Sequence, residues 1–446
     1  MSENRFEYAS WQQLHEDVAR RGCELPFEDD PAVLFQPVRY GRMACPNRLV
    51  AQPMEGCDGE PDGRPGELTI RKYCRLGAGG WGLIWFEACA VQPQARANPR
   101  QIWLHDDSAE AFAAMLAATL EAAAAAGRPR PATVLQLTHS GRYSRPGEKP
   151  QPIIAQHSGV LDPFHKVPPD CPLIADEELD ALQDAYVKAA ILAAQVGFDG
   201  VDIKSCHGYL MNEILGARTR AGRYGGTYAN RTRMLRETFA KVVAAAGDRL
   251  EVTTRANVCD AVDYPFGWGV DKSDCMRPDL TEPLALIGEL TALGLRGVNI
   301  TTGNPYYNPH VNRPADQMIA NWPDPPEHPI AGLSRISSVA RDVQQAHREL
   351  AVVASGGTWA RQFVGNLAAG MVKQGWCSMV GLGRGSIAYP DLPSDLKTTG
   401  RLDSRKVCIT CSRCSQLMRD RQCSGCVIRD AEVYLPLYRV GRAAAK

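Results

Sequence analysis

AVVASGGTWARQFVGNLAAGMVKQGWCSMVGLGRG, residues 351–385, runs twice through one pattern. A short apolar run (AVVAS, 351–355) ends in a glycine turn (SGGT, 355–358) and leads into a helical stretch over 359–369. A second run (CSMVGL, 377–382) ends in a second glycine turn (GLGRG, 381–385). Short, continuously apolar runs bounded by turn signals read as strands buried on both faces, which is the situation of a parallel sheet covered by helices.

The same alternation extends back through the chain. LIWFEA (83–88), VLQLTH (134–139), GVDI (200–203), LEVTTR (250–255) and GVNITT (297–302) read as further buried strands. Helices are predicted between them. One covers 108–126, Ala-rich, with Ser108 as its cap. The next begins at Asp176, with Leu179, Leu182, Tyr186, Ala189, Ala193 and Val196 at helical spacing, and others cover 229–246, 281–293 and 332–349. About eight strand–helix units in about 350 residues predict an α/β protein with a closed (β/α)8 TIM barrel. A doubly wound open sheet is the structural rival, but it wants a GxGxxG turn after an early strand. GLGRG comes late and lacks that spacing. The expected organisation is a helical preface over 1–33, the barrel over 34–400 and a cysteine-rich tail over 401–446. In the preface, Ser10 and Gln13 form a capping box and Trp11, Leu14 and Val18 share a helical face.

Composition excludes several classes. Lys plus Arg total 50 and Asp plus Glu total 50, so no basic excess marks a nucleic-acid partner. No run of about 18 apolar residues supports a membrane span, and the first residues lack the basic start and apolar core of a secretory signal. A cytoplasmic enzyme is the expectation. Of 15 cysteines, five (Cys408, Cys411, Cys414, Cys423, Cys426) crowd the tail, which reads as a metal site, not a disulfide framework. Four thiolates at this spacing suit either a [4Fe–4S] cluster or an all-cysteine zinc site.

The chemistry-bearing phrases all lie at strand ends. They are QPMEG (52–56), QLTHSGR (136–142), DGVDIKSCHGYL (199–210) followed by GRYGGTYANR (222–231), and the two glycine turns above. In barrel enzymes the turns after strands seven and eight often hold a phosphate on backbone N–H groups, and Arg384 would add a charge-assisted contact. Loops 140–172 and 303–330 follow strands on the same face and are candidate substrate walls. The second contains Tyr306, Tyr307 and His310.

With these phrases in this order, the chain resembles the old yellow enzyme family of flavin-dependent barrel oxidoreductases from about Leu34 to Tyr438. It resembles most the branch with 2,4-dienoyl-CoA reductase, trimethylamine dehydrogenase and bile-acid enoate reductases. The resemblance implies noncovalent FMN at the carboxyl ends of the strands. Pro53 and Met54 match the contact on the flavin from strand one, and Ala88 matches the small residue beside the ring. Gln136 and Arg255 match the side chains on the pyrimidine edge, and Gly356, Gly357, Gly383 and Arg384 match the phosphate cradle. A cation and an amide at that edge would stabilise the negative charge of reduced flavin.

Relatives carry a His-x-x-His or His-x-x-Asn donor pair followed by Gly-Tyr. Here the text is Lys204-Ser205-Cys206-His207-Gly208-Tyr209, so Lys204 stands where the first donor belongs. The resemblance implies Lys204 and His207 as carbonyl-polarising groups and Tyr209 as proton donor. Lys204 has two other readings, an anchor for a substrate carboxylate and a lysine paired with Asp202 or an acidic neighbour. It further implies a [4Fe–4S] cluster on Cys408, Cys411, Cys414 and Cys426, with Cys423 as the other choice for fourth ligand. The family's middle spacing is one residue longer, so Cys414 is a displaced match.

The expected function is reduction of the C=C bond of an α,β-unsaturated carbonyl compound, an enoate or enoyl thioester, by reduced FMN, with the cluster relaying electrons. The rivals are an amine dehydrogenase or demethylase of the trimethylamine dehydrogenase type and a non-catalytic zinc-stabilised barrel. Further FAD and NAD(P)H domains found in relatives have no room before Lys446. The electron donor is therefore expected to be NAD(P)H acting directly on FMN, or a separate electron-donor protein. A small unsaturated molecule is the expected substrate, no nucleic acid or membrane is an expected partner, and a homo-oligomer is compatible with the resemblance.

Overall fold

The computed structural model describes residues 5–445. Eight parallel strands close into a barrel in chain order: β1 (Leu49–Ala51), β2 (Leu83–Ala90), β3 (Ala132–Thr138), β4 (Gly200–Ile203), β5 (Glu251–Asn257), β6 (Gly297–Thr301), β7 (Ala351–Ala354) and β8 (Met379–Leu382). The seam between last and first strand pairs Val380 with Leu49 and Leu382 with Ala51. The outer helices are α1 (Glu67–Gly79), α2 (Ala109–Ala125), α3 (Asp176–Val196), α4 (Tyr228–Ala246), α5 (Thr281–Ala292), α6 (Pro329–Ala346), α7 (Val364–Lys373) and α8 (Leu392–Thr399). This is the TIM barrel expected from the alternating text. Every residue of β1 through β8 is buried, which explains why the strands read as apolar runs and not as alternating ones.

The amino-terminal mouth of the barrel is plugged. An antiparallel hairpin, Val38–Tyr40 with Met43–Cys45, inserts Tyr40 and Met43 among Val50, Trp85, Val134, Val353 and Met379. The Tyr40 hydroxyl meets Thr253 Oγ1 at 2.6 Å, and its ring lies so close to β6 that a Cβ on Gly297 would fall 2.6 Å from it. The opposite mouth is thereby left as the only end of the barrel free to build a site among the described residues.

The preface helix, Trp11–Arg20, is capped by Ser10, with Gln13 N donating to Ser10 Oγ at 3.3 Å, but the expected box is not closed, because Gln13 Oε1 accepts at 2.9 Å from Ala9 N and not from Ser10 N. Leu14 and Val18 are buried, and Trp11 stacks on Phe27. Ser108 does not cap α2. Its hydroxyl closes a preceding 3-10 turn, Asp106–Ser108, where it accepts from His105 N, because the turn bends the chain before α2 begins. α6 begins at Pro329, three residues before the expected start, because proline suits a first helical position. The stretch expected as helix over 359–369 is a 3-10 turn, Gly357–Phe363, followed by α7. The segment Asp106–Ala125 is apolar and long enough to cross a membrane. Its alanines account for that, and Phe112, Met115 and Leu116 are buried in the barrel's outer layer.

Replacing Gly297 with alanine drives a methyl group into the Tyr40 ring. The expected outcome is a loss of about 1–3 kcal/mol, read as a lower urea midpoint at unchanged m-value. Wild-type stability would show that the hairpin does not plug the barrel tightly.

Candidate active site and cysteine cavity

The strand exits surround a cavity of about 650 Å³. Its floor is organised by Asp202 on β4, a fully buried carboxylate. Asp202 Oδ2 accepts from Trp85 Nε1 at 2.9 Å and from Gln136 Nε2 at 2.6 Å, and Oδ1 accepts from the Arg255 backbone N–H at 2.6 Å. One side chain thus ties β2, β3, β4 and β5 together and orients Gln136 and Arg255. Burial pushes its carboxyl up to about 6 against the pull of these donors. Beside it, Gln52 and Asn299 exchange amide hydrogen bonds of 3.0 and 2.8 Å across the barrel.

Arginine side chains converge here with no carboxylate hydrogen-bonded to them among the described residues. Arg255 is buried, with no partner for Nε, and burial holds its guanidinium below the ordinary value. Arg384 donates from Nη2 to Pro314 O at 2.7 Å, while its buried Nη1 has no partner. Arg313 lies alongside, bonded to Ser415, and burial together with Arg384 pulls its guanidinium down to about 10. Glycines stand at the same place, where any side chain would meet its neighbours. A Cβ on Gly381 would fall 2.0 Å from Gln52 Nε2, and one on Gly383 would fall 2.8 Å from Met54 Sδ. Orphaned guanidinium N–H groups beside glycine turns are a matched site for an anionic nucleotide, and the residues present fit FMN.

Pro53, Met54, Gln136, Arg255, Gly356, Gly383 and Arg384 all line this cavity. Ala88 and Gly357 do not. Ala88 lies at a bulge of β2 opposite Gln136, with its carbonyl accepting from Gln101 Nε2, and Gly357 packs behind its turn against Val364 and Leu382.

Lys204, His207 and Tyr209 enter the cavity together from the exit of β4. His207 (φ 68°) and Gly208 (φ 71°) are consecutively left-handed, and Gly208 N donates to Asn212 Oδ1 at 2.8 Å. A non-glycine residue in this region is strained, a feature that clusters at functional sites. Asn312 Nδ2 reaches His207 Nε2 and Thr302 O, each at 3.1 Å. The carbonyl requires a donor there, so Nε2 accepts and the imidazole proton sits on Nδ1. Burial, then Arg255 and Lys204, keep this ring's pKa well below the ordinary histidine value, so it is neutral.

Tyr209, 1% exposed, donates to Glu55 Oε1 at 2.9 Å and shares a 2.9 Å hydrogen bond with the Tyr306 hydroxyl. Burial, Glu55 and Tyr306 all raise its pKa. Lys204 Nζ sits 3.6 Å from the centre of the Tyr209 ring and 3.8 Å from Glu55 Oε1. Its ionic partner is therefore Glu55, while Asp202 is engaged elsewhere. Burial lowers the lysine's pKa, opposed by Glu55. Tyr143 stacks on Tyr306 at 4.1 Å and completes an aromatic wall. Tyr306 lines the cavity as expected; Tyr307 and His310 do not.

Sequence reasoning missed Glu55 and Tyr143. Glu55 is the acid of QPMEG, and its loop is held by Gly56 N donating to Glu87 Oε2 at 2.7 Å and by Ser424 N donating to Gly56 O at 2.6 Å. A carboxylate directly beyond the flavin-contact pair was the available signal.

In the tail, Cys408, Cys411, Cys414 and Cys426 line one small cavity. Cys423 lies outside it, beside Arg100. Among the described residues, no three Cys, His, Asp or Glu side chains close to single-ion distance. Thr410 N and Arg429 N donate to the sulfurs of Cys408 and Cys426 at 3.4 and 3.3 Å, and Thr410 and Ser412 are left-handed. These turns aim thiols inward, and the donor set fits a four-thiolate group. The tail helix Arg413–Arg419 follows; Cys414 on it lines the small cavity, while Ser415 and Met418 line the large one.

Two measurements test this geometry. Arg384→Ala removes a charge-assisted contact of about 1.5–3 kcal/mol, so FMN affinity by equilibrium dialysis falls roughly 10- to 100-fold. Asp202 holds its proton more tightly folded than unfolded, so its contribution to stability is present at low pH and is lost as pH rises from 3.8 toward about 6. In urea unfolding across that window, the stability of wild type relative to Asp202→Asn falls with rising pH and is flat above it.

Comparisons place this geometry among known proteins. Dimethylamine dehydrogenase of Hyphomicrobium sp. (strain x) is 28% identical over 400 residues, 86% of this chain and 48% of that protein. NADH oxidase of Thermoanaerobacter brockii is 24% identical over 391 residues, 85% of this chain and 52% of that protein. The chain spans about half the length of these curated relatives. Among solved structures, a 2-naphthoyl-CoA reductase complex with 2-naphthoyl-CoA superposes with a TM-score of 0.71 at 19% identity, covering 92% of this chain and 58% of the other, which is a likeness of fold. A family model described as NADH:flavin oxidoreductase / NADH oxidase matches residues 33–268. The chain belongs to the NADH:flavin oxidoreductase / NADH oxidase family of FMN-dependent oxidoreductases.

Proposed function

We propose that the protein reduces the C=C bond of an α,β-unsaturated carbonyl compound, an enoate or enoyl thioester, within a catalytic barrel over 34–400. The observation that carries this reading is the convergence of Lys204, His207 and Tyr209 from a single strand exit into the cavity lined by Arg255 and Arg384. FMN, when bound, supplies hydride chemistry at an electron-poor carbon. The chain's residues do the rest. Gln136 and Arg255 hold the pyrimidine edge; Gly356, Gly383 and Arg384 hold the phosphate. Lys204 Nζ and the Nδ1 proton of His207 polarise the substrate carbonyl as charge develops on its oxygen. Tyr209 keeps its proton on the phenol oxygen at neutral pH and gives it to the substrate α-carbon. The ammonium over its ring then stabilises the phenolate, Tyr306 stands at hydrogen-bonding distance to return a proton, and the Glu55 carboxylate orients the Tyr209 hydroxyl. The stacked Tyr143 and Tyr306 exclude water from that exchange.

In the tail over 401–446, Cys408, Cys411, Cys414 and Cys426 would hold a [4Fe–4S] cluster, which carries single electrons. Arg384 lines both cavities, so a common wall separates the two redox sites. NADH, NADPH or a separate electron-donor protein supplies the reducing equivalents.

A second reading, oxidation of an amine, is favoured by one feature. Tyr143, Tyr209 and Tyr306 form an aromatic cluster beside the Glu55 carboxylate, a setting for an alkylammonium ion. Lys204 already occupies the face of Tyr209 that such a cation would use, which favours the reductive reading.

The test is anaerobic stopped-flow mixing of reduced, FMN-loaded protein with enoates and enoyl thioesters. Flavin oxidation is expected, and Tyr209→Phe slows it about 100-fold or more while flavin reduction by the donor keeps its rate. If no enoate oxidises the flavin and an amine bleaches the oxidised form without added reductant, the second reading replaces the first.

A further inference from the structure

We infer that the substrate carries an anionic group, a carboxylate or a phosphate, remote from its reacting bond and held at the cavity mouth by Arg145, Arg419 and Arg421. This rests on the proposed function, in that the reacting bond is placed at Lys204, His207 and Tyr209.

Several buried guanidinium groups elsewhere in this fold are matched by carboxylates. Arg142 pairs with Glu213 and Asp162, Arg220 with Asp176, and Arg231 with Glu282. The mouth departs from that habit. Arg419 has no carboxylate partner among the described residues; its guanidinium lies over the Tyr306 ring at 5.0 Å and the Trp322 ring at 5.8 Å. Among the described residues, the Arg145 guanidinium is held only by the Glu148 carbonyl, at 3.2 and 3.1 Å. Arg421 reaches the exposed Glu148 carboxylate at 3.3 Å, leaving one carboxylate against three cations. Burial, then the neighbouring Arg421, hold the Arg145 guanidinium below its ordinary value against the pull of Glu148.

All three line the same cavity as the catalytic groups, so the positive rim is continuous with the reaction site. The spacing follows from the aromatic wall. Tyr306 shares a hydrogen bond with Tyr209 on one side and carries Arg419 on its face on the other. The anion site is therefore one aromatic ring outward from the proton donor. A substrate with its unsaturated carbonyl at Tyr209 and a body lying along Tyr143 and Tyr306 would place a terminal anion among the three guanidinium groups. The Arg313 and Arg384 pair belongs to the inner phosphate site and is not counted here.

The test uses a matched set of aryl enones on the FMN-loaded full chain: 4-(3-oxobut-1-enyl)benzoate, its methyl ester, and the corresponding aryl phosphate. Flavin reoxidation gives kcat/KM, and the saturated analogues give Kd from perturbation of the flavin spectrum, so binding is read even without turnover. The charged ligands are expected to bind roughly tenfold or more tightly than the ester at low salt, with the advantage shrinking as ionic strength rises. Whichever of carboxylate and phosphate shows the larger advantage names the group. In the Arg419→Gln, Arg421→Gln double variant the ratio of charged to neutral affinity collapses toward one. Equal Kd for charged and neutral ligands in wild type overturns the inference, as does a ratio the double variant leaves unmoved. So does a double variant that slows only reduction by an acidic electron-donor protein, which would assign the rim to a redox partner. If none of the enones reoxidises the flavin but the charged analogues still bind better, the reductive reading fails and the anion site stands.

Discussion

A buried carboxylate organises this molecule's chemistry. Asp202 has no contact with solvent, yet three donors from three other strands end on it. Isolated burial of a carboxylate is strongly unfavourable, and these hydrogen bonds are what make it tolerable. The arrangement works in both directions. The donors stabilise Asp202, and Asp202 dictates where the Gln136 amide and the Arg255 backbone lie. Two residues later on the same strand exit comes Lys204, so the floor and the reacting wall of the cavity share one origin.

Around that floor the protein gathers arginines to which, among the described residues, no carboxylate is hydrogen-bonded. Arg255 and Arg384 have buried N–H groups without partners, and Arg313 stands beside Arg384. Such an arrangement is costly in an empty protein and is offset when an anion supplies the missing acceptors. The same reasoning makes cofactor binding a source of stability, because a ligand that binds only the folded chain shifts the folding equilibrium. The tail contributes to this site as well as to its own cavity. Ser415 and Met418 line the large cavity, and Ser424 N holds the carbonyl of Gly56 beside Glu55.

Much of this was legible in the residues, for identifiable reasons. Strands buried on both faces produce apolar runs, so seven of the eight were readable. β1 was not, because three residues (Leu49–Ala51) are too few to form a pattern, although its exit phrase QPMEG was conspicuous. Ser108 misled because a serine before an apolar helix looks the same whether it caps that helix or closes the turn ahead of it. Gly357 and Ala88 were matched by motif position, but motif position does not say which face of a turn or bulge reaches the cavity. Glu55, Tyr143 and the arginine rim come from two separate loops and the tail, and only closure of the barrel brings them together. The partner of Lys204 was equally hidden: Asp202 is two residues away in sequence, on the same strand, yet Glu55, arriving from β1, is the carboxylate it meets. That Cys426 and not Cys423 shares a cavity with Cys408, Cys411 and Cys414 depends on the path of the tail, which spacing does not reveal.

The central claim is that the barrel mouth is built to hold an isoalloxazine nucleotide on Arg255, Arg384 and the glycine turns. The most direct measurement is the visible absorption spectrum, with flavin quantified after denaturation, of protein purified without oxygen and incubated with FMN. The account predicts a yellow protein retaining a single equivalent of FMN through gel filtration. Protein that stays colourless and releases no flavin after that treatment, while remaining folded by circular dichroism, would contradict it.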